Sequence, residues 1–148
     1  MTIHILVGTT SGNTEFLAQE ISDHLQQQGF APEFHDLPEY QAIAQQDCTW
    51  ILCIATHGAG EYADSIAQFM QDIEQHKPDL SRLKIAIVAV GDSSYDTYCK
   101  AGQDAEQLLT QLGAEQIIPR LEIDMMIELD PEGKAMQWLK NWQDRLTS

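Results

Sequence analysis

Five short apolar runs recur along this chain, and helical stretches with apolar residues every three or four positions alternate with them. The runs are residues 3–7 (Ile-His-Ile-Leu-Val), 31–37, 50–55 (Trp-Ile-Leu-Cys-Ile-Ala), 84–90 (Lys-Ile-Ala-Ile-Val-Ala-Val) and 117–123. The first, third and fourth are almost continuously apolar, the pattern of strands covered on both faces. The second is more polar. The fifth is broken by Pro119, which lacks a ladder N–H and suits an edge. Residues 13–28 carry Phe16, Leu17, Ile21 and Leu25 at helical spacing and stop at Gly29. Residues 65–76 carry Ile66, Phe69, Met70 and Ile73, with Pro78 beyond, and residues 101–112 end at Gly113. Residues 131–146 close the chain with Met136, Leu139, Trp142 and Leu146 inward, and a short helix is expected within 38–46. Such alternation predicts an α/β fold. The expected architecture is a doubly wound, five-stranded parallel sheet in the order 2-1-3-4-5 with helices on both faces.

The length of 148 residues suits a single domain over 1–148. No apolar run approaches the roughly 20 residues of a membrane span, and the start lacks the basic segment of a secretory signal. A cytoplasmic location is expected. Cys48, Cys53 and Cys99 show no Cys-x-x-Cys spacing, which argues against a disulfide framework or a structural zinc site. Eight Lys and Arg against 23 Asp and Glu give a net charge of −15. That charge repels nucleic acid and anionic membranes and favours a protein partner with a basic face.

In a sheet of this kind ligands sit outside the carboxyl ends of the strands, where the strand order reverses. The informative loops therefore follow Val7, Ala55 and Val90. The first runs through Thr9, Thr10, Ser11, Gly12, Asn13 and Thr14 into a helix. Its hydroxyls, amide and free N–H groups form an anion site of neutral donors aided by the helix dipole. Asn13 stands where the lysine of a Gly-x-x-x-x-Gly-Lys loop would be, which disfavours a nucleoside triphosphate engine. The competing reading is a polar turn with a helix cap. The second loop holds Thr56, His57, Gly58, Ala59, Gly60, Glu61 and Tyr62. Its two glycines let the backbone approach a flat ligand. The third glycine of a dinucleotide fingerprint is absent, and a plain flexible turn reads equally from these residues. The third loop, Gly91 to Cys99, sets Tyr95 and Tyr98 beside a glycine-led turn. They read either as a stacking surface or as packing.

In order and position, the three loops resemble those of the flavodoxin family. The segment from Thr9 to Thr14 resembles its FMN-phosphate loop. The segments Thr56 to Glu61 and Gly91 to Cys99 resemble the loops on the two faces of the flavin. The resemblance covers the whole chain and is short-chain in type. The second loop and residues 77–81 look most like the MioC group. It implies FMN as cofactor, with its phosphate on Thr9, Thr10, Ser11, Gly12, Asn13 and Thr14. Thr56, His57, Gly58, Ala59 and Gly60 would line one side of the ring, and Gly91, Asp92, Tyr95, Tyr98 and Cys99 the other. Tyr95 would stack on the ring, and the Gly58 carbonyl would accept a hydrogen bond from flavin N5–H after one-electron reduction. Many members carry Trp or Tyr where this chain has His57, a poorer shield, and Tyr62 is the candidate substitute.

The function implied is that of an electron-transfer protein, more a redox carrier than a stand-alone enzyme. It would shuttle single low-potential electrons from an NADPH-dependent flavoprotein reductase to a reductive enzyme with a basic docking face, and work as a monomer. The residues agree with this reading. The phosphate loop has no Lys or Arg, and Glu61, Asp64, Asp92, Asp96 and Asp124 are expected near the ring. Both features disfavour added negative charge on a reduced flavin. The acidic and apolar segment 122–130 is a candidate docking surface. Two alternatives stand beside this: a flavin-dependent NAD(P)H:quinone oxidoreductase, and a non-redox binding module that has lost its flavin. There is no Ser-His-Asp, His-Glu-x-x-His or Cys-x₅-Arg pattern. Cys53 reads as a core residue, His4 and His35 as structural or exposed, and His24 and His76 as helix-surface residues.

Overall fold

A run of consecutive branched apolar residues cannot face one side of a strand, so it must be covered from both sides. In the computed structural model, which describes residues 2–9, 13–57, 60–94 and 96–146, three strands meet that condition. They are β1 (Thr2–Gly8), β3 (Cys48–His57) and β5 (Leu83–Gly91), joined by α1 (Asn13–Gln27) and α2 (Asp64–His76) and with β2 (Glu33–His35) between α1 and β3. A two-residue strand β4 (Glu61–Tyr62) turns back antiparallel on β3. After β5 come α3 (Lys100–Gln111), β6 (Glu115–Gln116), β7 (Leu121–Asp124) and α4 (Pro131–Trp142).

The parallel order is β2-β1-β3-β5, with β6 and β7 both on the outer side of β5. Counting β6 and β7 as two halves of one strand, this is the expected 2-1-3-4-5 sheet. The register sets Val7 opposite Cys53, Cys53 opposite Val88 and Val88 opposite Leu121. Alternation along the strands then builds two cores. Leu6, Leu52, Ile54 and Ile87 face α2 and α3 with Ile66, Phe69, Met70 and Leu109. Ile5, Val7, Ile51 and Val88 face α1 and α4 with Leu17, Ile21, Leu139 and Trp142. Each fully buried side chain of this size contributes about 1.5–3 kcal/mol. An exposed ion pair such as Arg82–Asp47 contributes under about 1 kcal/mol, so the two apolar layers dominate the stability.

The expected elements are corrected in places. The second strand shrinks from 31–37 to Glu33–His35, because as an edge strand it pairs with β1 alone. The helix expected in 38–46 is one 3-10 turn, Tyr40–Ala42. The fifth strand is broken at Pro119, as expected, but its two halves lie at Glu115–Gln116 and Leu121–Asp124 rather than within 117–123. Phe16 is 56% exposed while Leu17 is buried, so Phe16 falls outside the apolar stripe that α1 turns to the core. Met136 is only half-buried, and Leu146 packs inward from beyond the end of α4, after a final 3-10 turn. Among the described residues no helix is long and apolar enough to cross a membrane.

Candidate functional site

The carboxyl ends of β1, β3 and β5 lie side by side, with Gly8 opposite Ile54 and Ala55 opposite Val90. Helices α1, α2 and α3 all start at this edge, so first-turn N–H groups that lack a partner within their own α-helical ladder gather there. Hydrogen bonds across the loops hold the junctions together. Ser65, in the first turn of α2, donates its hydroxyl to the Val7 carbonyl at 2.8 Å. The same Oγ accepts the Thr9 N–H at 2.8 Å, and the Ser65 N–H reaches the Thr9 carbonyl at 3.4 Å. Ser65 thus fixes the start of the first loop. The Thr56 hydroxyl accepts the Ala101 N–H at 3.1 Å, tying the end of β3 to the start of α3. Thr14 is buried in the first turn of α1.

The third loop is held from inside and outside. The Asp92 carboxylate accepts the Ser94 N–H at 2.8 Å and its hydroxyl at 2.6 Å. Asp124, at the end of β7, accepts the N–H groups of Ser93 and Met126, each at 3.0 Å. The Ser93 side chain first, and then these N–H groups, hold its carboxyl below the usual carboxylate range. A Cβ on Gly91 would stand 2.8 Å from the Cys99 nitrogen, 3.0 Å from its sulfur and 3.1 Å from the Tyr98 ring. Glycine is what lets this loop close on the strand. Cys99 is left-handed (φ 54°) at the N-cap of α3, and its thiol donates to the Ala89 carbonyl at 3.4 Å. Burial pushes that thiol up to about 11. It pushes the Tyr98 hydroxyl up too, and the neighbouring Cys99 adds to that. In the second loop Gly60 has φ +105°, and a Cβ there would meet the Lys100 stem at 2.5 Å. The Lys100 ammonium is itself paired to Asp104 at 2.7 Å.

Of the residues expected at the site, Thr9, Thr14, Thr56, Gly60, Gly91, Asp92, Tyr98 and Cys99 come together at this edge. Thr10, Ser11, Gly12, Gly58, Ala59 and Tyr95 lie outside the described residues, as do the side chains of Asn13 and His57. Tyr62, the candidate cover, lies in the short strand β4. Its ring packs on the α2–α3 core and lines a groove with Glu74, Asp104 and Leu108, where burial raises its hydroxyl pKa. Ser65 was not read as a site residue, although it stands where a helix start was expected. Its partners are 56 and 58 positions away in sequence. Cys53 is a core residue as expected, fully buried and pushed up to about 12.

Charge at this edge is acidic. Glu61, Asp64 and Asp96 are exposed, and Asp92 and Asp124 partly so. In the segment after β7, Glu122 is engaged by Arg120 (3.0 and 3.1 Å) and Gln103 (3.2 Å). Ile127 is 73% and Leu129 97% exposed. The donor set fits flavin mononucleotide. Neutral hydroxyls and helix-start N–H groups suit a phosphate. The glycine-tight Gly91 turn leaves backbone surface for a flat ring, and Leu17, Val90 and Met125 line an apolar notch beside it.

Comparison with known proteins agrees. The family model described as Flavodoxin matches residues 5–138. A protein MioC homolog of Pasteurella multocida is 35% identical over 144 residues, covering 97% of each chain. The sulfite reductase [NADPH] flavoprotein alpha-component of a Shewanella species (strain MR-7) is 32% identical over 93% of this chain, which spans 22% of that longer protein. Among solved structures, a single-substitution variant of flavodoxin from Pseudomonas aeruginosa superposes with a TM-score of 0.90 at 23% identity, over the full length of both chains. Fold, strand-end loops and family match point the same way, and this chain belongs to the flavodoxin family.

Proposed function

We propose that this chain is a cytoplasmic, monomeric one-electron carrier whose FMN sits across the carboxyl ends of β1, β3 and β5. As a flavodoxin it binds FMN and works in electron transfer. The observation that carries the placement is the convergence of three strand–loop–helix junctions, tied together by Ser65, Thr56 and Asp124. The cofactor supplies the redox chemistry, accepting and releasing single electrons.

The chain's own residues bind, orient and tune. Thr9, Thr10, Ser11, Gly12, Asn13 and Thr14 hold the phosphate with neutral donors. Gly58 and Gly60 let the second loop move its backbone against the ring, with Thr56, His57 and Ala59 beside them. Gly91, Asp92, Tyr95, Tyr98 and Cys99 form the opposite wall, with Cys99 seated beneath it. The surrounding carboxylates make extra negative charge on the ring unfavourable, so the carrier works at low potential. Electrons come from an NADPH-dependent flavoprotein reductase. The likeness to the sulfite reductase flavoprotein supports a donor of that class. The acceptor docks with a basic rim on Glu61, Asp64 and Asp96 and with apolar contacts on Ile127 and Leu129. Glu122 is spent on Arg120 and takes no part.

Titrating flavin-free protein with FMN tests the reading. Quenching of flavin fluorescence at one equivalent and a protein-bound band near about 450 nm are expected. A protein that leaves added FMN free in solution would overturn it.

A further inference from the structure

Far from the strand ends, β1 and β2 bring together three side chains that the electron-carrier reading does not use. His4 and His35 stack with ring centroids 5.2 Å apart. The His4 Nδ1 lies 3.0 Å from the His35 Nε2 and 3.1 Å from a Glu33 carboxylate oxygen. His4 is 3% exposed, on the same strand face as Leu6 of the α2–α3 core. Glu33 is exposed and His35 half-buried, so one side of the cluster opens to solvent. Four residues of strand, about 13 Å, separate His4 from Gly8.

Protons alone satisfy this cluster poorly. If His4 Nδ1 carries the hydrogen, it can donate well to only one of its two neighbours. If His35 Nε2 carries it instead, the His4 lone pair faces the Glu33 carboxylate. Among the described residues the other nitrogen of His4, Nε2, is buried without a hydrogen-bond partner. A divalent cation would accept all three lone pairs at once. Ligands about 2.0–2.1 Å from a tetrahedral zinc stand about 3.3 Å apart, close to the two separations found here. Two imidazoles and one carboxylate are a borderline donor set, suited to zinc and its neighbours rather than to calcium or magnesium.

We propose that His4, Glu33 and His35 form a three-ligand site for a divalent transition-metal ion, zinc in the first place, with a fourth position open to water. Sequence spacing could not show it. His4 meets its two partners across paired strands, 29 and 31 positions away. The role is to pin the short edge strand β2 to β1, separate from the flavin chemistry.

The test is calorimetric titration of tag-free, FMN-loaded protein with zinc chloride. One equivalent should bind with Kd below about 10 μM. Glu33→Gln and His35→Gln should each weaken binding by at least about 10-fold while FMN binding stays intact. A paired control, His24→Gln with His76→Gln, should leave zinc binding unchanged. Cobalt chloride should give the visible bands of a tetrahedral site in the native protein and not in either variant. Zinc binding weaker than that limit, or equally strong in both variants, would overturn the site. Both variants replace partly exposed side chains, so the buried His4 need not be touched.

Discussion

At Gly91 one methyl group decides whether the third loop can lie on the sheet. Its Cβ would sit inside contact distance of Cys99 backbone and sulfur, none of which is the free end of a flexible chain. Gly91→Ala should cost about 1–3 kcal/mol of stability, as overpacking does, and weaken FMN binding about 10-fold. Denaturant unfolding and FMN titration measure the two effects. Ser65 is the other single residue on which the site depends. Ser65→Ala leaves the Thr9 N–H without its acceptor and the Val7 carbonyl without its donor. The expected loss is about 1–3 kcal/mol, with weaker FMN binding because the first loop loses its anchor. Unchanged FMN affinity in Ser65→Ala would show that the anchor does not govern the phosphate loop.

Elements were legible where the chain left no choice. Strands 3–7, 50–55 and 84–90 could be read because uninterrupted apolar runs must be buried on both faces. The 31–37 strand is overextended and the 117–123 strand is misplaced at both ends, because half-exposed edge segments carry a weak pattern, while the break at Pro119 was legible. The three loops were legible by position, since they follow the buried strands. The ties between them were not. Ser65 to Thr9, Thr56 to Ala101 and Asp124 to Ser93 join residues 56, 45 and 31 positions apart, and no local pattern records such contacts. The Asp124 tie carries a prediction at this scale. Its folded pKa lies below the ordinary value near 3.8. The depressed carboxylate therefore stabilises the loop fully above that ordinary value, and the contribution is lost as pH falls through the lower folded value. Hydrogen exchange at the Ser93 amide, corrected for intrinsic rate, should lose protection in that acid window. In Asp124→Asn protection should be lower at neutral pH and should not change there.

For the whole molecule the net charge of −15 and the acidic strand-end edge govern encounter. Screening shortens from about 30 Å at 0.01 M salt to about 8 Å at 0.15 M. Association with a basic-faced reductase should slow by about 10-fold or more across that range, measured by stopped-flow reduction of the bound flavin. Ile127→Ser with Leu129→Ser, on exposed positions, should leave stability within about 0.5 kcal/mol and FMN affinity unchanged. The same pair should slow electron transfer from the reductase or to the acceptor. The central claim is that this chain carries electrons one at a time at low potential. The most direct measurement is an anaerobic potentiometric titration of the FMN-loaded protein, following its visible spectrum. Two separate one-electron steps are expected, with a long-wavelength band rising and then falling between them, and with the second step well below the potential of free FMN. A single two-electron step with no intermediate band at any potential would contradict the account.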